Sequence, residues 1–315
     1  MKPSSSFLNK IALLFAGLSQ KHIRSAGTLL GTLAYMFDMR HRRIVRRNLH
    51  FAYPDLTRKK IKQMSKGVFQ NMGITFLEIC QIPYLPQNVL VSRVKINGKE
   101  HLIHAINSNK SIMIFSGHIG NWELGLQVIS HYTHKELLLI AQNIKSKLLN
   151  TWMYQLRAGS GNILIDKKGA VPQMVRTLRK GGVIGLLIDQ GTIASQGVEV
   201  QFFNKKTTAT PVVAMLGRRY NSIVLPIFCV RDKAGDLTLQ VQEPVLLVKT
   251  DNMENDAKTN TQIMTHRIEQ AVRSYPEQWF WFHKRWKRSY PHLYKEDIDR
   301  RKRLRGKRHA AYKKV

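Results

Sequence analysis

The residues best placed to do chemistry lie in Ser111-Ile-Met-Ile-Phe-Ser-Gly-His118-Ile-Gly-Asn-Trp-Glu123-Leu-Gly125. An imidazole with a carboxylate on one ring nitrogen has a fixed tautomer, and its other nitrogen is left to accept a proton. His118 is read as a general base and Glu123 as its orienting partner. Two residues on one helix meet at three or four apart, not five. The pair therefore needs His118 on a turn and Glu123 in the first turn of the following helix, where the helix dipole also favours its charge. Phe115-Ser116-Gly117-His118-Ile119-Gly120 is not G-x-S-x-G, so no serine nucleophile is indicated. H-E-x-x-H is absent too, so a zinc helix is unsupported. A base without a protein nucleophile must activate a substrate group, and a hydroxyl is the natural one. A structural histidine bonded to a nearby carboxylate is the plainer alternative, and the spacing alone leaves both open.

The elements that must position these residues are legible nearby. Ser111 to Ser116 is a short apolar run that fits a buried strand. Gly117 and Gly120 permit a tight turn. Asn121 suits a helix N-cap, with Leu124, Val128 and Ile129 marking the apolar helical face behind it. Further strand-like runs are Leu137–Ala141, Asn162–Ile165, Val183–Ile188 and Ile223–Val230, with helical patterns near 121–131, 147–158, 170–180 and 208–220. Such alternation implies an α/β fold with a mixed, largely parallel central sheet flanked by helices. Ligands of such sheets bind beyond the strand ends, and His118 and Asp189 each follow a strand. Arg157 closes an apolar helix, where its charge complements the dipole. Asp189 is either a turn residue or a polar site residue. Lys167 and Lys168 follow a strand and are placed to meet phosphate. Gly197–Phe203 and Thr207–Thr210 suggest a loop over an apolar ligand and the cap of the next helix.

The 315 residues suffice for a sizeable core, and the formal charge of +31 attracts phosphate-rich partners: nucleic acid, anionic lipid or an acidic carrier protein. Cys80 and Cys229 stand alone, so neither a disulfide framework nor a cysteine metal site is indicated. Residues 7–39 hold two apolar stretches split by Lys21, His22 and Arg24. Neither reaches the roughly 20 residues of a spanning helix, and an uncleaved segment anchored in or lying on a bilayer is expected. The arginine-rich block Arg40–Arg47 follows, suited to anionic headgroups on the cytoplasmic side. Residues 57–80 read as an amphipathic helix starting at Thr57, with Phe69, Met72, Phe76 and Ile79 on its apolar face. Trp279, Trp281, His283, Arg285 and Trp286 alternate aromatic and basic residues, a pattern that suits a membrane interface or single-stranded nucleic acid. The expected division is 1–93 as a helical membrane-anchoring region, 94–292 as the α/β domain, and 293–315 as a basic tail.

These motifs together resemble the lipid A biosynthesis acyltransferases, the late lauroyl and myristoyl transferases of the glycerolipid and lysophospholipid acyltransferase superfamily. The likeness runs through Arg46-Arg47-Asn48-Leu49-His50-Phe51-Ala52-Tyr53-Pro54-Asp55, Phe76-Leu77-Glu78, the H-x4-E stretch, Arg157, Ile188-Asp189-Gln190, Gly197–Phe203 with Thr210, and Pro276–Lys287. Lys284 stands where that family often has arginine, which keeps the charge but loses the planar fork. The resemblance implies transfer of a fatty chain from an acyl carrier protein thioester to a hydroxyl of an anionic glycolipid, a lipid A precursor. It implies no metal or bound cofactor, no nucleic acid, and a place on the cytoplasmic side of the inner membrane. It makes Asn121, Arg157, Asp189 and Lys167 the candidates for holding substrate, with Arg157 also a candidate for stabilising developing negative charge. The other function classes are a nucleic-acid-binding protein or a membrane scaffold using the basic surface.

Overall fold

Ile112–Ser116 is a strand with apolar residues on both faces, as a strand covered by helices on either side requires. Met113 and Phe115 enter one core, Ile112 and Ile114 another, the period of two that pleating imposes. The computed structural model describes residues 7–133, 137–142, 144, 146–159 and 161–295. It opens with α1 (Phe7–Ala16), α2 (Gln20–Phe37), α3 (Met39–Ala52), α4 (Arg58–Gln81) and α5 (Gln87–Ser92). There follow β1 (Val94–Asn97), α6 (Lys99–Asn107), β2 (Ile112–Ser116), α7 (Trp122–Thr133), β3 (Leu137–Ala141), α8 (Lys147–Ala158) and β4 (Ile163–Asp166). Then come α9 (Val171–Arg179), β5 (Val183–Leu187), β6 (Val198–Phe202), β7 (Lys205–Ala209), α10 (Val212–Arg219), β8 (Ile223–Arg231), β9 (Leu237–Val241) and α11 (Met253–Ser274).

Seven strands form one sheet in the order β1-β9-β8-β2-β5-β3-β4, and β6 and β7 form a separate hairpin. β8, β2, β5, β3 and β4 run parallel, while β9 is antiparallel to β8. The expected mixed, largely parallel sheet is thus present, and the expected strands differ from the observed ones by a residue or two at their ends. One boundary moves further. The helix read near 208–220 begins at Val212, because Lys205–Ala209 pairs with Val198–Phe202. The stretch expected to be a loop after Gly197 is that hairpin.

The N-terminal apolar stretches form α1 and α2, neither of spanning length, as expected, and nothing in the fold of the described residues supports the expected membrane-associated segment. Among the described residues no helix is long and apolar enough to cross a membrane. α2 instead lies against α4 at backbone distance. A Cβ on Gly31 would stand 2.5 Å from Gln70 Cα, and one on Gly73 2.8 Å from Gly31 N. Small residues on both helices let the backbones approach this closely. α3 and α4 also share a core with the sheet: Val45, Leu49, Val68 and Phe69 belong to the cluster that contains Met113 and Phe115. α4 does start after Thr57, whose hydroxyl caps it by accepting from Lys60 N–H at 3.3 Å. Phe69 and Ile79 are buried as expected, but Phe76 is exposed. At the other terminus, buried Tyr294 donates its hydroxyl to Asn48 at 2.5 Å, so the body extends past residue 292. Most of the expected basic tail lies outside the described residues.

Candidate active site

β2 ends at Ser116 beside β5, with Ser116 paired to Leu187. The ladder continues for one more bond, Ile188 N–H to Ser116 carbonyl at 3.0 Å. That register brings Asp189 alongside the turn that begins at Gly117. A Cβ at Gly117 would stand 3.2 Å from Asp189 Cβ, so any other residue would crowd Asp189 and push it by a few tenths of an ångström. Gly120 has φ +60°, and a side chain there would also meet Val230 Cα at 3.0 Å, so only glycine fits comfortably. His118 sits between these glycines, on the turn as expected.

The carboxylate on its ring is not the expected one. His118 Nδ1–H donates to Asp189 Oδ1 at 2.8 Å, and the His118 backbone N–H donates to Oδ2 at 3.0 Å. Glu123, assigned that role from the spacing, faces elsewhere. Arg157 grips it through Nε at 2.9 Å and through Nη2, and Trp122 Nε1–H donates to it at 3.0 Å. The correction has a simple cause. Glu123 lies in the first turn of α7 close to His118, but a guanidinium that matches both carboxylate oxygens is the better partner for a buried charge. Asp189, reached through strand pairing, meets the ring instead. Both its oxygens are thus taken up by His118 and, through Oδ2, by Trp279, where the resemblance suggested a residue holding substrate.

Electrostatics follow from this geometry. Burial opposes the imidazolium of His118, but the charge and hydrogen bond of Asp189 overcome it, so its pKa stands above the ordinary 6.5. Glu123 reinforces that shift and Arg157 opposes it. Burial would raise Asp189, yet its contacts with His118 and Trp279 hold it well below the usual carboxylate range. The Asp189 side chain is 2% exposed and that of His118 22%. With Nδ1–H committed to Asp189, Nε2 carries the free lone pair, and it has no hydrogen-bond partner among the described residues. The half-buried rings of Trp122 and Phe280 flank the imidazole at centroid distances of 5.1 and 6.1 Å. The arrangement can therefore take a proton from a group that approaches along an aromatic wall.

The remaining candidates divide. Arg157 adjoins the site through Glu123. Asn121 is buried, with both ends of its amide occupied: Oδ1 accepts from Leu124 N–H at 3.0 Å, and Nδ2–H donates to Glu78 at 2.8 Å. It builds the turn as the cap that the sequence indicated and is not open to substrate. Lys167 is exposed at the end of β4, three strands from β2 and so roughly 14 Å away. The structure does not bring it to His118.

Sequence reasoning missed two supports. One is a buried polar network. Arg231 grips Glu78 at 2.9 and 3.0 Å, Glu78 holds Asn121, and Thr75 donates to the Gly120 carbonyl at 3.1 Å. This network holds the turn from below. Its signal, an unassigned Glu78 in an amphipathic helix, had no partner visible locally. The other is the C-terminal block. Trp279, Trp281, Trp286 and Arg285 are buried, not spread on a membrane or nucleic-acid surface. Asn48 ties the block to α3 by donating to the carbonyls of Trp281 and His283 at 2.7 and 2.9 Å. Trp279 Nε1–H donates to Asp189 Oδ2 at 2.8 Å. Burial pushes His283 down to about 4, so its ring is neutral near pH 7.

The family model described as bacterial lipid A biosynthesis acyltransferase matches residues 5–288. The chain is 25% identical over 268 residues to the lipid A biosynthesis lauroyltransferase of Escherichia coli (strain K12), covering 83% of this chain and 84% of that one. It is 24% identical over 264 residues to the lipid A biosynthesis palmitoleoyltransferase of the same strain, covering 83% of each chain. A phosphatidylinositol mannoside acyltransferase of Mycobacterium tuberculosis (strain CDC 1551 / Oshkosh) is 23% identical over 224 residues, 69% of this chain and 68% of that one. The match over residues 5–288, nearly the whole chain, makes this chain a member of the bacterial lipid A biosynthesis acyltransferase family.

Proposed function

We propose that the protein is an O-acyltransferase that moves a fatty chain from an acyl carrier protein thioester to a hydroxyl of a lipid A precursor. The observation that carries this reading is the free Nε2 of a histidine whose other ring nitrogen is committed to a buried carboxylate. The acceptor hydroxyl gives its proton to Nε2 as its oxygen attacks the thioester carbonyl. The tetrahedral oxyanion collapses, the C–S bond breaks, and the departing thiolate takes the proton from the imidazolium. A positioned base of this kind contributes about 10²–10⁴-fold.

The oxyanion needs donors, and the turn itself has few left. The backbone N–H groups of His118, Ile119, Gly120 and Asn121 already donate to Asp189, Gly117, Gln278 and Cys229. Arg157 is a cation beside the site, and Glu123 serves to hold it there. The half-buried rings of Trp122, Phe280 and Phe282 suit contact with a hydrocarbon chain.

The proposed location is the cytoplasmic face of the inner membrane, with the protein lying on the bilayer. The outward side of the N-terminal helices carries exposed Leu14, Leu29, Leu33, Met36 and Phe37, the last 77% exposed. Arg40 and Arg43 follow directly on α3. An apolar stripe beside arginines fits an anionic lipid surface.

Mass spectrometry of lipid A precursors incubated with the protein and acyl-carrier thioesters tests the reaction. The expected result is a gain of one acyl chain, abolished or severely cut in His118→Ala. Full transfer by a folded His118→Ala variant would remove His118 as the base.

A further inference from the structure

Asp189 is buried, and a buried carboxylate needs donors on its oxygens to stay charged. Among the described residues two of its three donors belong to His118 itself; the third is the indole N–H of Trp279 at 2.8 Å from Oδ2. Trp279 is held there by more than its ring. Its backbone forms an antiparallel bridge with Ile119. On either side of that bridge, Phe280 N–H donates to the His118 carbonyl at 2.9 Å, and Gly120 N–H donates to the Gln278 carbonyl at 3.0 Å. Residues 278–280 thus lie antiparallel along residues 118–120, joined by this one bridge. The indole is then walled by Trp281 at 4.6 Å and Phe202 at 5.4 Å between ring centroids.

We propose that Trp279 is a positioning residue of the reaction centre, its indole N–H holding the Asp189 carboxylate in the pose that meets His118 Nδ1. The inference rests on His118 as the base. A hydrogen bond to Oδ2 also shares the carboxylate's charge. Without it, Oδ2 keeps only the His118 backbone N–H, and more negative charge faces the ring. The imidazolium is then favoured, and the base is protonated over more of the neutral range. Other titratable groups also face this pair: Glu123 and Arg157 from α7 and α8, and Arg285 and the neutral His283 from the C-terminal block. Among the described residues none of these four donates a hydrogen bond to Asp189, so none replaces the indole.

Trp279→Phe keeps an aromatic ring and removes the N–H. The expected result is an upward shift of the His118 pKa by about one pH unit in an NMR titration. The acid limb of kcat should move by the same amount, with KM little changed. In an Asp189→Asn background the same substitution should shift nothing further. An unchanged His118 pKa in Trp279→Phe, or an equal shift in the Asn background, overturns the proposal. Where Trp279→Phe fails to fold, the unaltered protein supplies the test. Its Trp279 indole proton resonance should titrate with the same midpoint as the His118 ring, and a flat resonance overturns the proposal. The NMR measurements need no acyl transfer, so this proposal and the acyltransferase reading can fail separately.

Discussion

Replacing Asp189 by asparagine separates the two carboxylates near His118. The change keeps the side-chain shape in a site that is 2% exposed, so packing is little disturbed. It removes the charge that raises the His118 pKa against the effect of burial. An asparagine amide can also turn its NH2 toward Nδ1, which moves the ring proton to Nε2 and blocks the base. Loss of the tautomer and of the base together should lower kcat by about 10³–10⁴-fold. The direction of the pH response is specific. In the unaltered protein, activity falls as pH drops through the raised His118 pKa, because a protonated ring cannot accept a proton. In Asp189→Asn burial acts without its counterweight, so the His118 pKa drops and residual activity persists to lower pH. Stability follows the same linkage. The His118–Asp189 pair contributes most between the ordinary carboxylate range and about pH 6.5, and loses that contribution as pH rises through the raised His118 pKa or falls through the lowered Asp189 pKa. Glu123→Gln is the control, since it weakens the hold on Arg157 but leaves the dyad. It should reduce kcat while moving the acid limb much less. The assay is acyl transfer followed by mass spectrometry across pH, with thermal melts alongside. An acid limb that moves down in Glu123→Gln and stays in place in Asp189→Asn would restore Glu123 as the partner and refute the reasoning.

Three other outcomes are expected. Gly31→Leu places a Cβ 2.5 Å from Gln70 Cα and should cost about 1–3 kcal/mol or more; an unchanged melting temperature would mean that α2 is not seated on α4. Arg231→Met leaves Glu78 buried without its cation and should cost about 3–5 kcal/mol. Adding Glu78→Gln should recover part of that loss, and a single variant melting with the unaltered protein would discount the network. Replacing Leu29, Leu33 and Phe37 with serine should leave the fold intact, since all three are exposed. It should reduce flotation with anionic vesicles, and undiminished flotation would remove this face as the docking surface.

The features legible in the sequence were local. The apolar run before Gly117, the two glycines, the Asn121 cap and the helix behind it needed only propensities, turn chemistry and hydrophobic period, and the structure places each within a residue or two. The position of His118 on that turn followed from them. Its partner did not. Nothing in the spacing of residues 118 and 123 reveals an arginine from α8 that binds Glu123 first. Nothing in the neighbourhood of Asp189 reveals that β5 lies beside β2. Strand order is a non-local property, decided by which pairing buries the most surface once the helices are in place. The same holds for the tryptophan block. An alternation of aromatic and basic residues describes a wet interface and a buried brace equally well, and only packing against Asp189, Phe202 and Asn48 distinguishes them. The N-terminal apolar stretches likewise showed their hydrophobicity but not which face α2 would turn toward α4 through Gly31 and Gly73. The sequence by itself determined that an imidazole would stand on a glycine-flanked turn at the end of a strand, because that outcome depends on neighbours along the chain. The tertiary structure alone decided which carboxylate orients it, because that depends on neighbours across the sheet.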